Sequence, residues 1–212
     1  MHASGKLVAK QITMGGINGS HFSGNIEVKA GDIHARNVQG DLLGGRYAGN
    51  WTIQLGAAPR ALHGEGTLDH VDLAQIAEAL HDNWVSGTAS AKYQVSASSQ
   101  SIAQLLSSTV AKFEIKATDG LLPHIFLAVP GPARMRKFDG QLTYHNGSFN
   151  LQNGKLDTPA GVYEVSGTST MASGLNLKLT REHGTGFRIT GTLGNPHIAE
   201  LEAPPARVAL KR

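Results

Sequence analysis

Ten histidines are the residues that most directly suggest chemistry in this sequence, because neutral imidazole is a common metal ligand. None forms an H-E-x-x-H motif or pairs with another histidine at the spacing of a zinc site on one helix face. His63, Asp69, His70 and Asp72 lie close together in sequence, but scattered surface histidines explain them better. The absence of cysteine also excludes disulfides and sulfur-based zinc sites. We therefore expect no metal and no cofactor.

Nucleophilic and phosphate chemistry find equally little support. A Ser-His-Asp hydrolase of the common α/β type needs a G-x-S-x-G turn, and the segments "SGTAS" and "SGTST" are instead typical of strand starts. The glycine-rich segments "GGINGSHFSG" and "GDLLGG" are not followed by a helix whose N-terminus would hold a phosphate. The sequence predicts a protein that is not an enzyme.

The positive charge is small and clustered. The formal net charge is +3 with a pI of about 9.2, and no basic run or basic helix face is present, so we expect no nucleic acid partner. Arg134, Arg136 and Lys137 lie beside a proline-rich stretch, where they could contact the phosphates of lipid headgroups. An ordinary solvated basic loop explains the same three residues.

The elements that would position any site are mostly strands, since apolar and polar residues alternate along most of the chain. In the segment "HFSGNIEVKA", Phe22, Ile26 and Val28 fall on one face, and Glu27 and Lys29 on the other. The same template predicts about eleven strands. The Asn-Gly pairs at 18–19, 146–147 and 153–154 predict hairpin turns. Strands joined this closely must pair antiparallel, so the sequence predicts a meander.

Two segments break the alternation. Residues 71–84 have apolar residues at helical spacing behind Asp72 as N-cap, and residues 99–109 show a shorter version of this pattern. Both predict short amphipathic helices. The proline-rich stretch 121–135 predicts an irregular crossing loop with a helical turn. No apolar run approaches the roughly 20 residues of a membrane helix. No signal peptide precedes the first strand, and the strand-like start favours a piece of a longer chain.

The apolar face of these strands must be covered, because each large side chain left in water forgoes roughly 1.5 to 3 kcal/mol. Two short helices are too few to cover about eleven strands. The sheet could fold on itself as a sandwich or barrel. It could instead curl into an open groove whose apolar interior is filled by a ligand with long hydrocarbon chains.

The order of motifs between residues 40 and 200 resembles the C-terminal region of the AsmA-like family of bacterial envelope proteins. The resemblance is carried by G-x-L-x-x-V-D-L at 66–73, Ser-Gly at 86–87, Asp-Gly at 119–120, an F-x-G to N-G hairpin at 138–147 and G-T-L-G-N-P at 191–196. It implies an elongated, strongly curved sheet with an apolar inner surface. The family is anchored in the inner membrane, projects into the periplasm and carries phospholipids in outer-membrane biogenesis. It implies no catalytic residues and no cofactor.

This chain departs from the family by lacking the membrane anchor and most of the family's length. The resemblance predicts a periplasmic piece of an anchored parent chain, with residues 1–200 as one domain and 201–212 as a mobile tail. Its expected partners are a phospholipid or other acyl-chain lipid, a membrane surface and the rest of its own chain. Pro196 is expected to end strand pairing. The alternative is a self-covered β-sandwich that binds proteins or glycans. The predicted lipid-binding residues are Phe22, Ile26, Val28, Trp51, Ile53, Tyr93, Val95, Phe113, Ile115, Leu142, Phe149, Leu177, Phe187 and Ile189.

Overall fold

The computed structural model of the chain describes residues 2–14, 16–56, 58–105, 107–170 and 174–201. The described part is mainly β. Its strands are β1 (His2–Met14), β2 (Ile17–Lys29), β3 (Asp32–Leu42), β4 (Gly45–Gln54), β5 (Arg60–Asp72), β6 (Ser86–Ser99), β7 (Val110–Leu122), β8 (Ala133–His145), β9 (Ser148–Thr158), β10 (Gly161–Thr170), β11 (Gly174–Thr180), β12 (Gly186–Gly191) and β13 (Pro196–Leu201). Helix α1 (Leu73–Ala79) follows β5, and the single turn α2 (Ile102–Leu105) follows β6.

All thirteen strands form one antiparallel sheet in which each strand pairs with its neighbours in sequence. The described strands β1 and β13 do not pair with each other, so the sheet is not closed. This confirms the predicted antiparallel meander. The strand number was underestimated because β3 and β13 were missed. Strand β3 was missed because its apolar–polar alternation shifts by one residue near Asn37. Strand β13 was missed because Pro196 begins this strand instead of ending the pairing. Proline at a strand's first position need not donate a ladder hydrogen bond.

The predicted turns are only partly correct. Asn146 and Gly147 connect β8 to β9 with φ angles of +49° and +76°, as a type I′ turn requires. The other two Asn-Gly predictions are wrong, because residues 18–19 lie inside β2 and residues 153–154 inside β9. Asparagine tolerates the left-handed region in a bulge as well as in a turn, so the dipeptide alone does not separate the two.

Helix α1 confirms the first predicted helix. The Asp72 carboxylate accepts a hydrogen bond from the Ala74 backbone N–H at 2.9 Å, and the Asp72 N–H donates to the Leu43 carbonyl. The second predicted helix is wrong in length, since only the four residues of α2 are helical. The predicted crossing loop is shorter in the structure, where it consists of residues 123–132 between β7 and β8. The helical turn predicted within it is wrong, since none of these residues is helical. Of the predicted tail, Leu201 ends β13 and residues 202–212 lie outside the described residues.

Five strands carry a bulge at a polar residue with positive φ. The register shifts at or next to these residues, whose φ angles lie between +52° and +54°: His21, Asn37, His70, Asp119 and Asn153. A bulge bends its strand and increases the local right-handed twist. The thirteen-stranded sheet is therefore bent repeatedly along its width.

The core is concentrated toward the C-terminal half of the sheet. Its most deeply buried members include Tyr163 at 0% exposure and Leu179 at 2%. Leu73 and Ile76 of α1, and Leu122, Ile125 and Leu127 before and in the β7–β8 loop, pack against this core. The buried cluster consists of Leu43, Val71, Ala89, Ala117, Met135, Leu156, Tyr163, Val165, Leu175, Leu179, Phe187 and Ile189.

The β12–β13 turn and the β7–β8 loop both lie near the segment that follows α1. A Cβ atom on Gly194 would collide with the Asp82 carboxylate. The His124 Nε2 atom, in the β7–β8 loop, lies 3.8 Å from the same carboxylate. The C-terminal hairpin, the β7–β8 loop and α1 thus meet, and together they cover part of the apolar face.

Candidate functional site

The predicted lipid-binding residues lie on the apolar face of the sheet, which is the face that carries the buried cluster. Cross-strand pairing places Tyr93, Phe113 and Leu142 side by side in β6, β7 and β8. This rung continues through every strand from β3 to β13. Its members are Val38, Gly49, Gly66, Tyr93, Phe113, Leu142, Leu151, Gly167, Leu177, Ile189 and Ile198.

Burial along this face is uneven. Phe22, Tyr93, Phe187 and Ile189 are buried, whereas Val28 is 37% exposed. The remaining predicted residues are half-buried: Ile26, Trp51, Ile53, Val95, Phe113, Ile115, Leu142, Phe149 and Leu177. At the end of β5 and β6 away from α1, the single helical turn α2 is the described helix that packs on the sheet. We call the half-buried set in β2, β4 and β6–β9 the open face, made of Ile26, Trp51, Ile53, Val95, Phe113, Ile115, Leu142 and Phe149.

Four aromatic rings form a cluster at the centre of the N-terminal half. The ring centroids of Phe22 and Tyr47 are 6.0 Å apart, those of Tyr47 and Tyr93 are 6.2 Å apart, and those of Trp51 and Tyr93 are 6.0 Å apart. The Trp51 indole N–H donates to the Tyr47 hydroxyl at 2.6 Å, and the Tyr47 and Tyr93 hydroxyls share a hydrogen bond of 2.7 Å. The polar atoms of these rings therefore form hydrogen bonds with one another, and the carbon atoms of the rings form the apolar face.

Burial raises the pKa of Tyr93 far above its ordinary value, and its hydrogen bond with Tyr47 adds to the rise. A tyrosinate would be desolvated here, so the neutral hydroxyl is favoured. Tyr93 therefore stays neutral at a pH where an exposed tyrosine would ionise.

Glycines beneath the rings allow them to lie flat against the sheet. Gly64 pairs directly with Trp51, and a Cβ atom there would collide with the indole ring. A Cβ atom on Gly49 would lie 2.6 Å from the hydroxyls of both Tyr47 and Tyr93. The aromatic rings thus take the space that side chains would fill at these positions, and the face becomes a smooth apolar surface.

A cavity of about 750 Å³ lies on the opposite, polar face. Besides Tyr93, Phe113 and Leu142 themselves, the residues immediately before and after each of them line the cavity. Trp51 and Val95, which lie next to them on the apolar face, do not line it. Because successive residues of a strand point to opposite faces, this lining places the cavity on the polar side. The open face is therefore an apolar surface and not the lining of this cavity. The cavity's polar lining is Asn37, Gln39, Asn50, Glu65, Thr67, Lys92, Gln94, Lys112, Glu114, Gln141 and Thr143.

The three predicted headgroup residues lie at the start of β8, not in a loop. Arg134 and Arg136 alternate with the buried Met135 and therefore point to the polar face. Arg136 lies 3.9 Å from the Asp157 carboxylate. Lys137 is exposed, and its Nζ atom lies 2.8 Å from the Asp139 carboxylate. The structure does not bring Arg134 and Arg136 to the open face.

Several histidines pair with carboxylates at the surface. His21 lies 2.8 Å from Asp41, and His70 lies 2.9 Å from Asp69. The hydrogen bond from His70, followed by that from Ser90, lowers the pKa of Asp69. Among the residues that the structure describes, no group of three or more histidine, aspartate or glutamate side chains could hold a metal ion.

One site was missed by the sequence analysis. A cavity of about 520 Å³ lies between the β7–β8 loop and the β12–β13 hairpin, and we call it the lower pocket. The apolar run at 125–129 was a signal for it, since loop residues rarely combine this many apolar side chains without packing them. Its lining residues are His124, Phe126, Leu127, Phe187, Gly194, Asn195, Pro196, Ile198 and Glu200.

Comparisons with known proteins add no assignment to this geometry. No family model matches the chain, and neither the curated proteins nor the solved structures give a significant match. Within the described part of the chain, no helix has the length and apolar character needed to cross a membrane.

Proposed function

We propose that this chain is a non-enzymatic lipid-binding protein that holds the acyl chains of phospholipids against the open face. The observation that carries the proposal is the apolar rung from Val38 to Ile198, which crosses eleven strands of one sheet without a polar side chain. The rung is half-buried in its middle, at Phe113, Leu142, Leu151 and Leu177. It is better covered on both sides, where Val38, Tyr93 and Ile189 are buried.

The energetics favour long chains as the ligand. Each methylene group removed from water contributes roughly 0.8 kcal/mol, and association costs an estimated ~4 to 15 kcal/mol. A short alkyl group resting on Leu142 and Phe113 would not recover that cost. A chain that follows the rung past several strands would, because strands are about 4.8 Å apart and each adds further apolar contact.

Curvature would increase the contact. Neighbouring strands rotate by roughly 20° to 25° relative to each other, and bulges add to the twist. The meeting of Gly194 with the Asp82 segment fits a sheet that curls toward its apolar face. The open face itself is a surface, since the cavity beside these strands lies on their polar side. We infer that an acyl chain is contacted on a second side only where the sheet curls over it.

The cellular setting follows from the resemblance to the AsmA-like family. In this proposal the chain works in the periplasm, as part of a longer protein anchored in the inner membrane, in phospholipid transport for outer-membrane biogenesis. The basic residues Arg134, Arg136 and Lys137 would then meet a membrane surface from the polar side of β8. The phosphates of that surface are suitable partners for their charges.

The proposal is tested by extracting the purified chain with organic solvent and measuring phospholipid by mass spectrometry. We expect about one or more phospholipids per chain. Leu142→Glu puts a charge on the open face and should remove most of the bound lipid. Thr143→Glu, on the neighbouring position of the same strand, points away and should leave lipid retention unchanged. Circular dichroism of both variants controls for unfolding. Folded, lipid-free wild-type protein would contradict the proposal.

A binding module is the second candidate, and the polar cavity on the other face favours it. Amide, hydroxyl and charged side chains from β3 to β8 surround this cavity, and such groups are suited to hydrogen-bond sugar hydroxyls. Under this hypothesis Leu142→Glu affects only folding. Gln94→Ala and Lys112→Ala would instead weaken binding to a glycan array, and the lipid extraction would give no phospholipid.

A further inference from the structure

The lower pocket combines apolar side chains with His124, Asn195 and a single carboxylate, Glu200. Phe187 forms part of its floor and is only 4% exposed, and Leu127 and Ile198 pack against the same core. Glu200 pairs with Phe187 across β12 and β13, so its side chain points to the apolar face. Within the described residues Glu200 has no ion-pair partner.

The rim of the pocket carries an exposed aromatic ring and the His124 imidazole. Phe126 is 54% exposed at its mouth, although it belongs to a loop whose neighbours Ile125 and Leu127 pack inward. Asp82 lies against the Gly194 turn on one side, with His124 at 3.8 Å. The pocket therefore offers an exposed ring, a buried apolar floor and an unpaired negative charge.

We propose that the lower pocket binds one acyl chain of a lipid whose head group carries an ammonium, as phosphatidylethanolamine does. The apolar floor takes the first part of the chain, and Glu200 pairs with the ammonium at the mouth. An anionic head group without an amine, such as phosphatidylglycerol, is disfavoured because its charge meets that of Glu200. This inference rests on the proposed function and adds to it a second site and a head-group preference.

The test is an NMR titration of the methyl-labelled chain with lyso-phosphatidylethanolamine and lyso-phosphatidylglycerol of the same chain length, each below its micelle concentration. We expect the methyl signals of Leu127 and Ile198 to shift with both lipids, with tighter binding of the ethanolamine lipid. Glu200→Gln should weaken binding of that lipid roughly two- to five-fold, the range of a solvent-exposed ion pair, and should not weaken binding of the other. Glu164→Gln, an equal charge change on the polar face of β10, serves as the control.

Equal affinity for the two lipids, no effect of Glu200→Gln, or shifts confined to Ile26 and Leu142 would overturn the inference. The last of these results would leave the proposed function intact, because the open face would still bind lipid. Conversely, shifts at Leu127 and Ile198 together with lipid-free extracted protein would contradict the open-face proposal and support the pocket.

Discussion

The Tyr93 hydroxyl shows how single residues keep the apolar face uncharged. Its ring is 7% exposed, and its hydroxyl bonds to that of Tyr47, which in turn accepts from the Trp51 indole. The three polar atoms need nothing from solvent or ligand. A face built from aromatic residues can therefore bind hydrocarbon as if it were aliphatic.

This burial predicts a stability that falls at high pH. The folded-state pKa of Tyr93 is raised above its unfolded value of about 10, so the stabilisation is complete below about pH 10 and is lost as the pH rises further. Between pH 10 and 11 the free energy of unfolding should decrease more steeply in the wild type than in Tyr93→Phe, by up to about 1.4 kcal/mol per pH unit. Denaturant unfolding at several pH values measures this difference. Tyr144→Phe is the control, and equal slopes for wild type and Tyr93→Phe would contradict the prediction.

Residues at bulges mark the limit of what could be predicted from sequence. His21, Asn37 and Asn153 sit within strands at positive φ, where a plain strand was predicted at His21, no strand at Asn37 and a turn at Asn153. Side-chain alternation is set by the strand period alone, so the apolar face could be predicted well. A bulge shifts that alternation by one residue, and its position depends on pairing with a neighbouring strand that the local sequence does not reveal.

Among the elements, α1 was predicted correctly because its signals are local. Asp72 provides an N-cap, and Leu73 and Ile76 provide an apolar stripe that packs on the core. The segment of α2 has similar local signals but only one described side chain, Leu105, that is buried. Short helices depend on tertiary packing, so the segment with less apolar contact forms a single turn.

The cap of α1 gives a prediction at this scale. Asp72→Ala removes the acceptor for the Ala74 N–H and should lower the free energy of unfolding by about 1 kcal/mol. Asp72→Asn keeps an acceptor oxygen and should cost much less. Both variants keep the backbone N–H that donates to the Leu43 carbonyl, so the comparison isolates the side chain. Urea denaturation followed by circular dichroism measures both, and equal losses for the two variants would show that the cap is not the cause.

At the scale of the whole molecule, the sheet is continuous but its stability is not uniform. Leu179, Tyr163 and Phe187 are buried in the C-terminal strands, where α1 and the β7–β8 loop close the core. The N-terminal strands reach this core at one end, through Ile17, Leu42, Leu68 and Val71, and elsewhere contact mainly their neighbours and the aromatic cluster. The placement of covering segments could not be predicted, because the sequence does not show that a loop after β7 reaches the β12–β13 hairpin. The same uncovered half supplies the surface that the proposed lipid needs.

This asymmetry predicts different protection for the two edge strands of the described sheet. Each of β1 and β13 has one strand neighbour, so pairing alone would give their bonded amides similar exchange rates. Ile198 of β13 packs against the core, whereas Val8 of β1 is 74% exposed. Opening β13 therefore disrupts buried contacts that opening β1 does not, and local opening sets the exchange rate. Native-state hydrogen exchange should show slower exchange for the bonded amides of β13. Faster or equal exchange in β13 would mean that the hairpin does not help to close the core.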